Sequence, residues 1–250
     1  VERAGEEDIV GRVYKGVIKN VVPSLNGMFL DIGIGRNAFL RTRDTLPGAA
    51  HTEGSTLLVQ VEKDSTETKG PLVTEKISFA GRYAVALYGS SYIGISKKIT
   101  DEKKRNFLRS QAKAICGGAM GFIVRTAAET AEEEDFKKDL TSLTRIMEVV
   151  MKRGAIEKGP ALLYRDGDLA VKSLRDYLTG GVERILVDDR NVWQRLITMA
   201  EEEKDISKDR ILFYDERESL FKSFKVDGQI EALFDRTVPL PTGGSLVIDY

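Results

Sequence analysis

From Ile9 to about Ser78, apolar and polar positions alternate in short runs broken by glycine, proline and asparagine. The runs VGRVYKGVIKNVV, GMFLDIG, RNAFLRT, STLLVQVEKD and PLVTEKIS each carry the two-residue period of a half-buried strand. Five such strands without a long helical period predict a small closed barrel of OB type. The stretch GMFLDIGIGRNAFLRTRD complicates the pattern. Met28, Leu30 and Ile32 form one face of a strand, and Phe29 falls on the other beside Asp31. Ala38 and Leu40 form the buried face of the next strand, and Phe39 falls beside Asn37 and Arg41. Two rings thus occupy the polar phase of the second and third strands. In OB barrels that face binds oligonucleotides, and exposed rings there stack on bases. The competing explanation is that both rings pack under a neighbouring domain. Stacking is favoured because Lys15, Lys19, Arg36, Arg41, Arg43 and Lys69 supply cations nearby in sequence.

Beyond the barrel the period changes. DEKKRNFLRSQAKAI, from Asp101, is helical and ends at Gly117 and Gly118. GFIVRT, Gly121 to Thr126, is a strand. A long helix follows in which Phe136, Leu140, Leu143, Met147 and Val150 form a core-facing stripe. Thr130 and Glu133 have the spacing of a capping box, and the EEED run favours the start of the helix dipole. Three strand-then-helix units come next: ALLYRD with LAVKSLRDYLT, RILVDD with VWQRLITMAEEEK, and RILFYD with SLFKSFKVDGQIEALF. Such alternation predicts an α/β layer with some parallel pairing. SLVIDY is a last strand with nothing after it, the expected mark of a fragment.

Composition narrows the function classes. The 250 residues suffice for a real core, and no apolar run approaches membrane-spanning length. The acidic start, VERAGEEDIV, is not a signal peptide. The single cysteine, Cys116, excludes an internal disulfide, fits a reducing compartment and reads as a small buried residue. The single histidine, His51, excludes a His-rich zinc site and argues against a Ser–His triad. With a net charge of −1, any nucleic acid must be held by local patches.

Candidate chemistry is sparse. Arg125 and Thr126 end a strand before a helix start, a pairing of guanidinium fork and hydroxyl that suits a phosphate. Lys69 and Gly81 sit in turns, and GISKKI supplies the pair Lys97–Lys98. Asp188–Asp189, Asp215 and Asp249 end strands in a layout like that of a two-metal nuclease, but acids at strand ends also cap helices and turns. No P-loop or dinucleotide fingerprint is present.

In order, GRVYKG with SLNGMFLDIG, RNAFL, KGPLVTEKISFAGRY, GISKKI, GFIVRTAA and QIEALFDRTVPLPTGGSLVIDY resemble the ribonuclease E/G family over nearly the whole chain. The resemblance implies a cytoplasmic or plastid endoribonuclease that processes ribosomal and transfer RNA precursors and starts messenger decay. It implies an α+β fold: a five-stranded antiparallel S-1-type OB barrel over 9–75 and a 5′-sensor region over 76–169. An RNase H-like region over 170–233 and the start of a DNase I-like domain over 234–250 would follow. Phe29 and Phe39 match the RNA-contacting aromatics, and Lys69 matches their basic partner. Arg125 and Thr126 match the residues that hold a 5′-monophosphate, with Gly81 and Val85 as pocket neighbours. Lys97–Lys98 stand where the family often has two arginines; lysine keeps the charge and loses the planar fork.

The family's catalytic acids, which hold Mg²⁺, a further sensor arginine and the zinc link between protomers would lie beyond Tyr250. No catalytic or metal-binding residue is therefore expected within the chain. The expected function is RNA binding and 5′-monophosphate sensing in a single-strand-specific, Mg²⁺-dependent endoribonuclease, homo-oligomeric when full length. The alternatives are a non-catalytic RNA-binding regulator and, more remotely, a self-contained two-metal nuclease.

Overall fold

Strands of alternating burial open the chain, and their pairings close on themselves. The computed structural model describes residues 9–48, 51–116, 120–165, 170, 173, 182–202 and 208–249. Its contacts divide the chain into two units, residues 1–169 and 170–250.

In the first unit β1 (Val13–Val22), β2 (Gly27–Asp31), β3 (Ala38–Arg41), β4 (Thr56–Lys63) and β5 (Leu72–Thr74) form a closed barrel in the order β1-β2-β3-β5-β4, with β4 returning to β1. All pairings are antiparallel except β3–β5, where Phe39 lies opposite Leu72 in parallel register. The expected all-antiparallel barrel is therefore a mixed one. The reason is parity: a ring with an odd number of strands cannot alternate direction all the way round. The inward residues, among them Tyr14, Ile18, Leu30, Leu40, Val59 and Val73, form one buried cluster. Gly16 leaves room for them; a Cβ there would lie 3.1 Å from Ile32 Cγ2.

The outward face of β1 joins a second core. Val13 is fully buried among residues of the adjoining layer. That layer is a sheet of β6 (Ser78–Ala80), β7 (Ala84–Tyr88), β8 (Ile93–Ile95) and β9 (Met120–Val124), in the order β6-β7-β9-β8. The β8–β9 pair is parallel and is linked through α1 (Glu102–Ile115), whose first turn is capped by Asp101 Oδ1 accepting from Lys103 N at 2.9 Å. Helix α2 (Glu133–Ile156) packs on the same core through Phe136, Leu140, Leu143, Met147 and Val150, all buried as their spacing predicts. The Thr130 capping box does not form. The N-cap is Glu132, with no side-chain cap, because a 3-10 turn over Thr126–Glu129 carries the chain past Thr130 first. Cys116 is half-buried, and its thiol donates to the Met120 carbonyl.

The ALLYRD run also departs from expectation. β10 (Ala161–Tyr164) adds to the barrel as an antiparallel neighbour of β1 rather than opening an α/β layer. Helix α2, at 24 residues about 36 Å long, delivers the chain there. Its end is held by Lys15, whose Nζ donates to the carbonyls of Gly154 at 2.8 Å and Glu157 at 2.6 Å. LAVKSLRDYLT falls almost wholly outside the described residues.

The second unit contains the expected parallel pair, β11 (Ile185–Val187) with β12 (Ile211–Phe213), crossed by α3 (Arg190–Glu202). Val187, Leu196, Ala200 and Ile211 form its core. The helical run after β12 breaks into α4 (Leu220–Ser223) and α5 (Val226–Ala232) at Lys225, which takes a left-handed φ of 56°. β13 (Thr237–Pro239) and β14 (Ser245–Val247) close the described chain as a hairpin. Among the described residues no helix is long and apolar enough to cross a membrane.

Candidate nucleic-acid interface

Two groups of sequence-predicted residues each come together in the first unit. On the barrel, Phe29 and Phe39 are directly opposite in the β2–β3 ladder, with ring centroids 5.2 Å apart and planes tilted by 52°. Both are half-buried, while their chain neighbours Met28, Leu30, Ala38 and Leu40 are buried in the barrel. The Phe39 ring lies across Gly27, where a Cβ would sit 2.5 Å from Phe39 Cζ. The rings thus support one another on a glycine bed, and each keeps part of its surface in solvent.

Lys69 is exposed in the turn that leads to β5, three residues before Leu72, the partner of Phe39. The turn is closed by Thr66 N donating to Lys69 O at 2.9 Å and Lys69 N donating to Thr66 Oγ1 at 3.2 Å. Arg36 Nη1 donates to the carbonyls of Thr66 and Glu67. Gly70 is obligatory here, because a Cβ would fall 1.9 Å from the Asn37 carbonyl oxygen.

All five other cations read as nearby have structural partners, Arg43 among them with its Nε 3.9 Å from Asp44 Oδ2. Lys15 caps α2, Arg36 holds the turn, Arg41 pairs with Asp44 and Glu62, and Lys19 lies 3.4 Å from Asp31. Sequence proximity overstated the free positive charge beside the rings. Truncating either ring is expected to weaken binding of a short unstructured RNA about 5- to 150-fold, from about 1–3 kcal/mol per stacked base. Fluorescence anisotropy at fixed salt measures it. Unchanged affinity in Phe29→Ala and Phe39→Ala would mean that the pair only packs.

The second group lies at one end of the four-stranded sheet. The strand directions bring the β6–β7 turn, the end of β8 and the end of β9 to the same edge. Arg125 leaves β9 there, with its backbone N–H on Tyr83 O at 2.8 Å and its Nη1 on Gly81 O at 2.7 Å. Thr126 Oγ1 lies 2.9 Å from Ser96 Oγ, and Lys97 and Lys98 follow Ser96 as exposed side chains. Val85 is half-buried on β7, opposite Ile123. The sheet edge therefore gathers Gly81, Val85, Arg125, Thr126, Lys97 and Lys98. It brings together a guanidinium already held by the Gly81 carbonyl, two hydroxyls and two ammonium groups, a set whose charge and donors suit an anion with several acceptor oxygens.

One positioning residue was missed in the sequence. Asp139 on α2 accepts from the backbone N–H groups of Arg82, Tyr83 and Ala84 at 3.1, 2.8 and 3.1 Å. Gly81 rests on the same carboxylate; a Cβ there would lie 2.5 Å from Asp139 Oδ1. Asp139 thereby shapes the turn whose Gly81 carbonyl aims Arg125. Within DFKKDL it reads as one more solvated charge. Its only distinguishing signal is its place three residues after Phe136, at the edge of the buried stripe.

The ribonuclease E/G family model matches residues 78–250, more than half of the chain. The chain belongs to the ribonuclease E/G family. It is 33% identical over 270 aligned positions to ribonuclease G of Escherichia coli (strain K12), an alignment covering all of this chain and 55% of that protein. Ribonuclease E of Nostoc sp. (strain PCC 7120) is 33% identical over 254 positions, covering 96% of this chain and 37% of that protein. Ribonuclease G of Haemophilus influenzae is 28% identical over 270 positions, covering all of this chain and 54% of that protein. The chain spans about half the length, or less, of these curated relatives.

The strand-end acids of this ribonuclease E/G family member belong to the second unit. Asp189 accepts from Asn191 N and Val192 N at the start of α3, and Asp249 Oδ1 accepts from Arg236 Nε at 2.6 Å. Asp215 lines an open cleft of about 950 Å³ that runs along β11 and β12, with Arg184, Leu186, Leu212, Arg217 and Phe224. Among the described residues no three His, Cys, Asp or Glu side chains gather as a metal site. The described residues thus bring together no ligand set for the Mg²⁺ or Zn²⁺ that the family resemblance implies for the whole protein.

Proposed function

We propose that this chain is the RNA-gripping and 5′-end-sensing portion of an endoribonuclease that acts on single-stranded RNA. The observation that carries the reading is the convergence of Arg125, Thr126, Ser96, Lys97 and Lys98 on one sheet edge, beside the turn held by Asp139. A 5′-monophosphate has three acceptor oxygens and a charge of about −1.5 to −2 at pH 7. The Gly81 carbonyl fixes the guanidinium of Arg125 through Nη1 and so places its positive charge for that phosphate. The Ser96 hydroxyl orients the Thr126 hydroxyl toward the same anion. Lys97 and Lys98 add charge without directional bonds.

The Phe29–Phe39 pair and Lys69 grip the single strand elsewhere by stacking and charge. Phosphodiester cleavage, Mg²⁺ dependence, homo-oligomeric assembly and a cytoplasmic setting are proposed for the whole protein. The test compares one short unstructured RNA carrying either a 5′-monophosphate or a 5′-hydroxyl, at fixed salt. The monophosphate form is expected to bind about tenfold tighter or more, the scale of one charge-assisted contact. Equal affinity would overturn the sensing role and leave the barrel face as the binding surface.

A further inference from the structure

The helices α1 and α2 pack on one face of the four-stranded sheet, against Phe122 and Val124. The opposite face holds a row formed by Val85 on β7, Ile123 on β9 and Gly94 on β8, each directly across from the next. Ile123 is 41% exposed. Gly94 has no side chain, and its space is taken by the ring of Tyr92; a Cβ on Gly94 would lie 2.7 Å from Tyr92 Cε1.

The backbone of Tyr92 is well fixed. Its N–H donates to Ser90 Oγ at 3.1 Å, and its carbonyl accepts from Phe122 N at 2.9 Å. Gly121 allows that approach, since a Cβ there would meet the Tyr92 carbonyl oxygen at 2.3 Å. Tyr92 as a whole nevertheless stays 64% exposed. The row continues the phosphate cradle. Arg125 lies two residues past Ile123, just beyond the end of β9; its backbone is still extended (φ −84°, ψ 162°) and its N–H bonds Tyr83 O, which carries the β7–β9 pairing on by one residue, about 6.6 Å from Ile123. Val85 and Gly94 are two strand spacings apart, about 9.6 Å. Moving away from Arg125, the face offers an aliphatic patch at Val85 and Ile123 and then an aromatic ring on a glycine bed. Lys97 and Lys98 follow within a few residues of β8.

We propose that Tyr92 is the stacking platform for the base of the second nucleotide of an RNA whose 5′-phosphate sits at Arg125 and Thr126. The proposal rests on the 5′-end reading above and deepens it. The first base lies on Val85 and Ile123, next to the phosphate. The second lies one strand further on, over Tyr92, and Lys97 or Lys98 meets the phosphate between them. RNA is the occupant because the row is continuous with the cradle and is flanked by two lysines, which suit a polyanion carrying flat apolar bases. Stacking of this kind tolerates any base.

The test uses a 5′-monophosphorylated tetranucleotide, intact or with an abasic site at nucleotide one, two or three. The protein is wild type, Tyr92→Phe, Tyr92→Ala or Tyr92→Leu. Leucine covers Gly94 without an aromatic face, so it separates stacking from structural support. Tyr92→Ala and Tyr92→Leu are expected to bind the intact RNA about five- to tenfold more weakly, at the lower end for a stacked base, and Tyr92→Phe about as well as wild type. The abasic site at nucleotide two should erase these differences, and the one at nucleotide three should preserve them.

Equal weakening on intact and abasic-two RNA, or coupling to nucleotide one or three, overturns the assignment. So does a change in sedimenting mass without nucleotide coupling, which would give the face to a second copy of the chain. If wild type shows no monophosphate preference, the 5′-end reading has failed. If the preference stands and Tyr92 is indifferent, only the platform has failed.

Discussion

Arg125→Ala is expected to bind monophosphorylated and hydroxyl-ended RNA with the same affinity. A charge-assisted contact to phosphate contributes about 1.5–3 kcal/mol, so the monophosphate form should lose roughly 10- to 150-fold while the hydroxyl form changes little. The asymmetry follows from geometry. Arg125 Nη1 is held by Gly81 O at 2.7 Å, and the backbone of Arg125 is tied to Tyr83, so the guanidinium is aimed before any ligand arrives. Arg125→Lys keeps the charge and loses the planar fork, and should retain only part of the preference. Titrations at one fixed salt concentration are required, because every phosphate contact weakens with added salt. A loss of equal size on both RNAs would show that Arg125 serves the strand in general and not its end.

Asp139→Ala is expected to lower the stability of the first unit by about 3 kcal/mol and to abolish the monophosphate preference without touching the ligand. The carboxylate satisfies three consecutive backbone N–H groups, and an orphaned buried donor costs about 1–3 kcal/mol. Asp139 is only half-buried, so water recovers part of that loss. Once the Arg82–Ala84 turn relaxes, the Gly81 carbonyl no longer aims Arg125. Asp139→Asn keeps one acceptor oxygen and should fall between. Urea unfolding reports the stability change, and the two-ended RNA comparison reports the preference. Binding that depends on Phe29 and Phe39 should survive. A variant within about 0.5 kcal/mol of wild type, the range of ordinary surface changes, would sink the claim that Asp139 shapes the turn.

The barrel was readable because its strands alternate strictly, and the phase of Phe29 and Phe39 followed from the same alternation. The α2 stripe was readable because five apolar residues keep helical spacing. What escaped depended on partners distant in sequence. β10 joins β1, a pairing between Val13 and Tyr164 that no local pattern encodes. Lys15 read as a cation for RNA, yet it caps α2 from far away in sequence. Thr130 had capping-box spacing, but the 3-10 turn before it displaced the helix start. Asp139 and Ser96 were invisible because a lone carboxylate or hydroxyl in a polar run gives no sign of what it will face. Arg125 and Thr126 were singled out by type and by their position at a strand end, whereas their hydrogen-bond partners could only be seen in space.

The return of β10 to the barrel and the ammonium of Lys15 on the last carbonyls of α2 have a consequence for avidity. The aromatic face and the cradle are joined by packed secondary structure, not by a slack tether. Under the proposed reading the two grips form a ruler. A strand too short to reach from one to the other gains from only one of them. A strand just long enough gains from both, because the second contact is then made at high effective concentration. Affinity should therefore rise with RNA length in a step, at a length set by the fold and independent of base sequence.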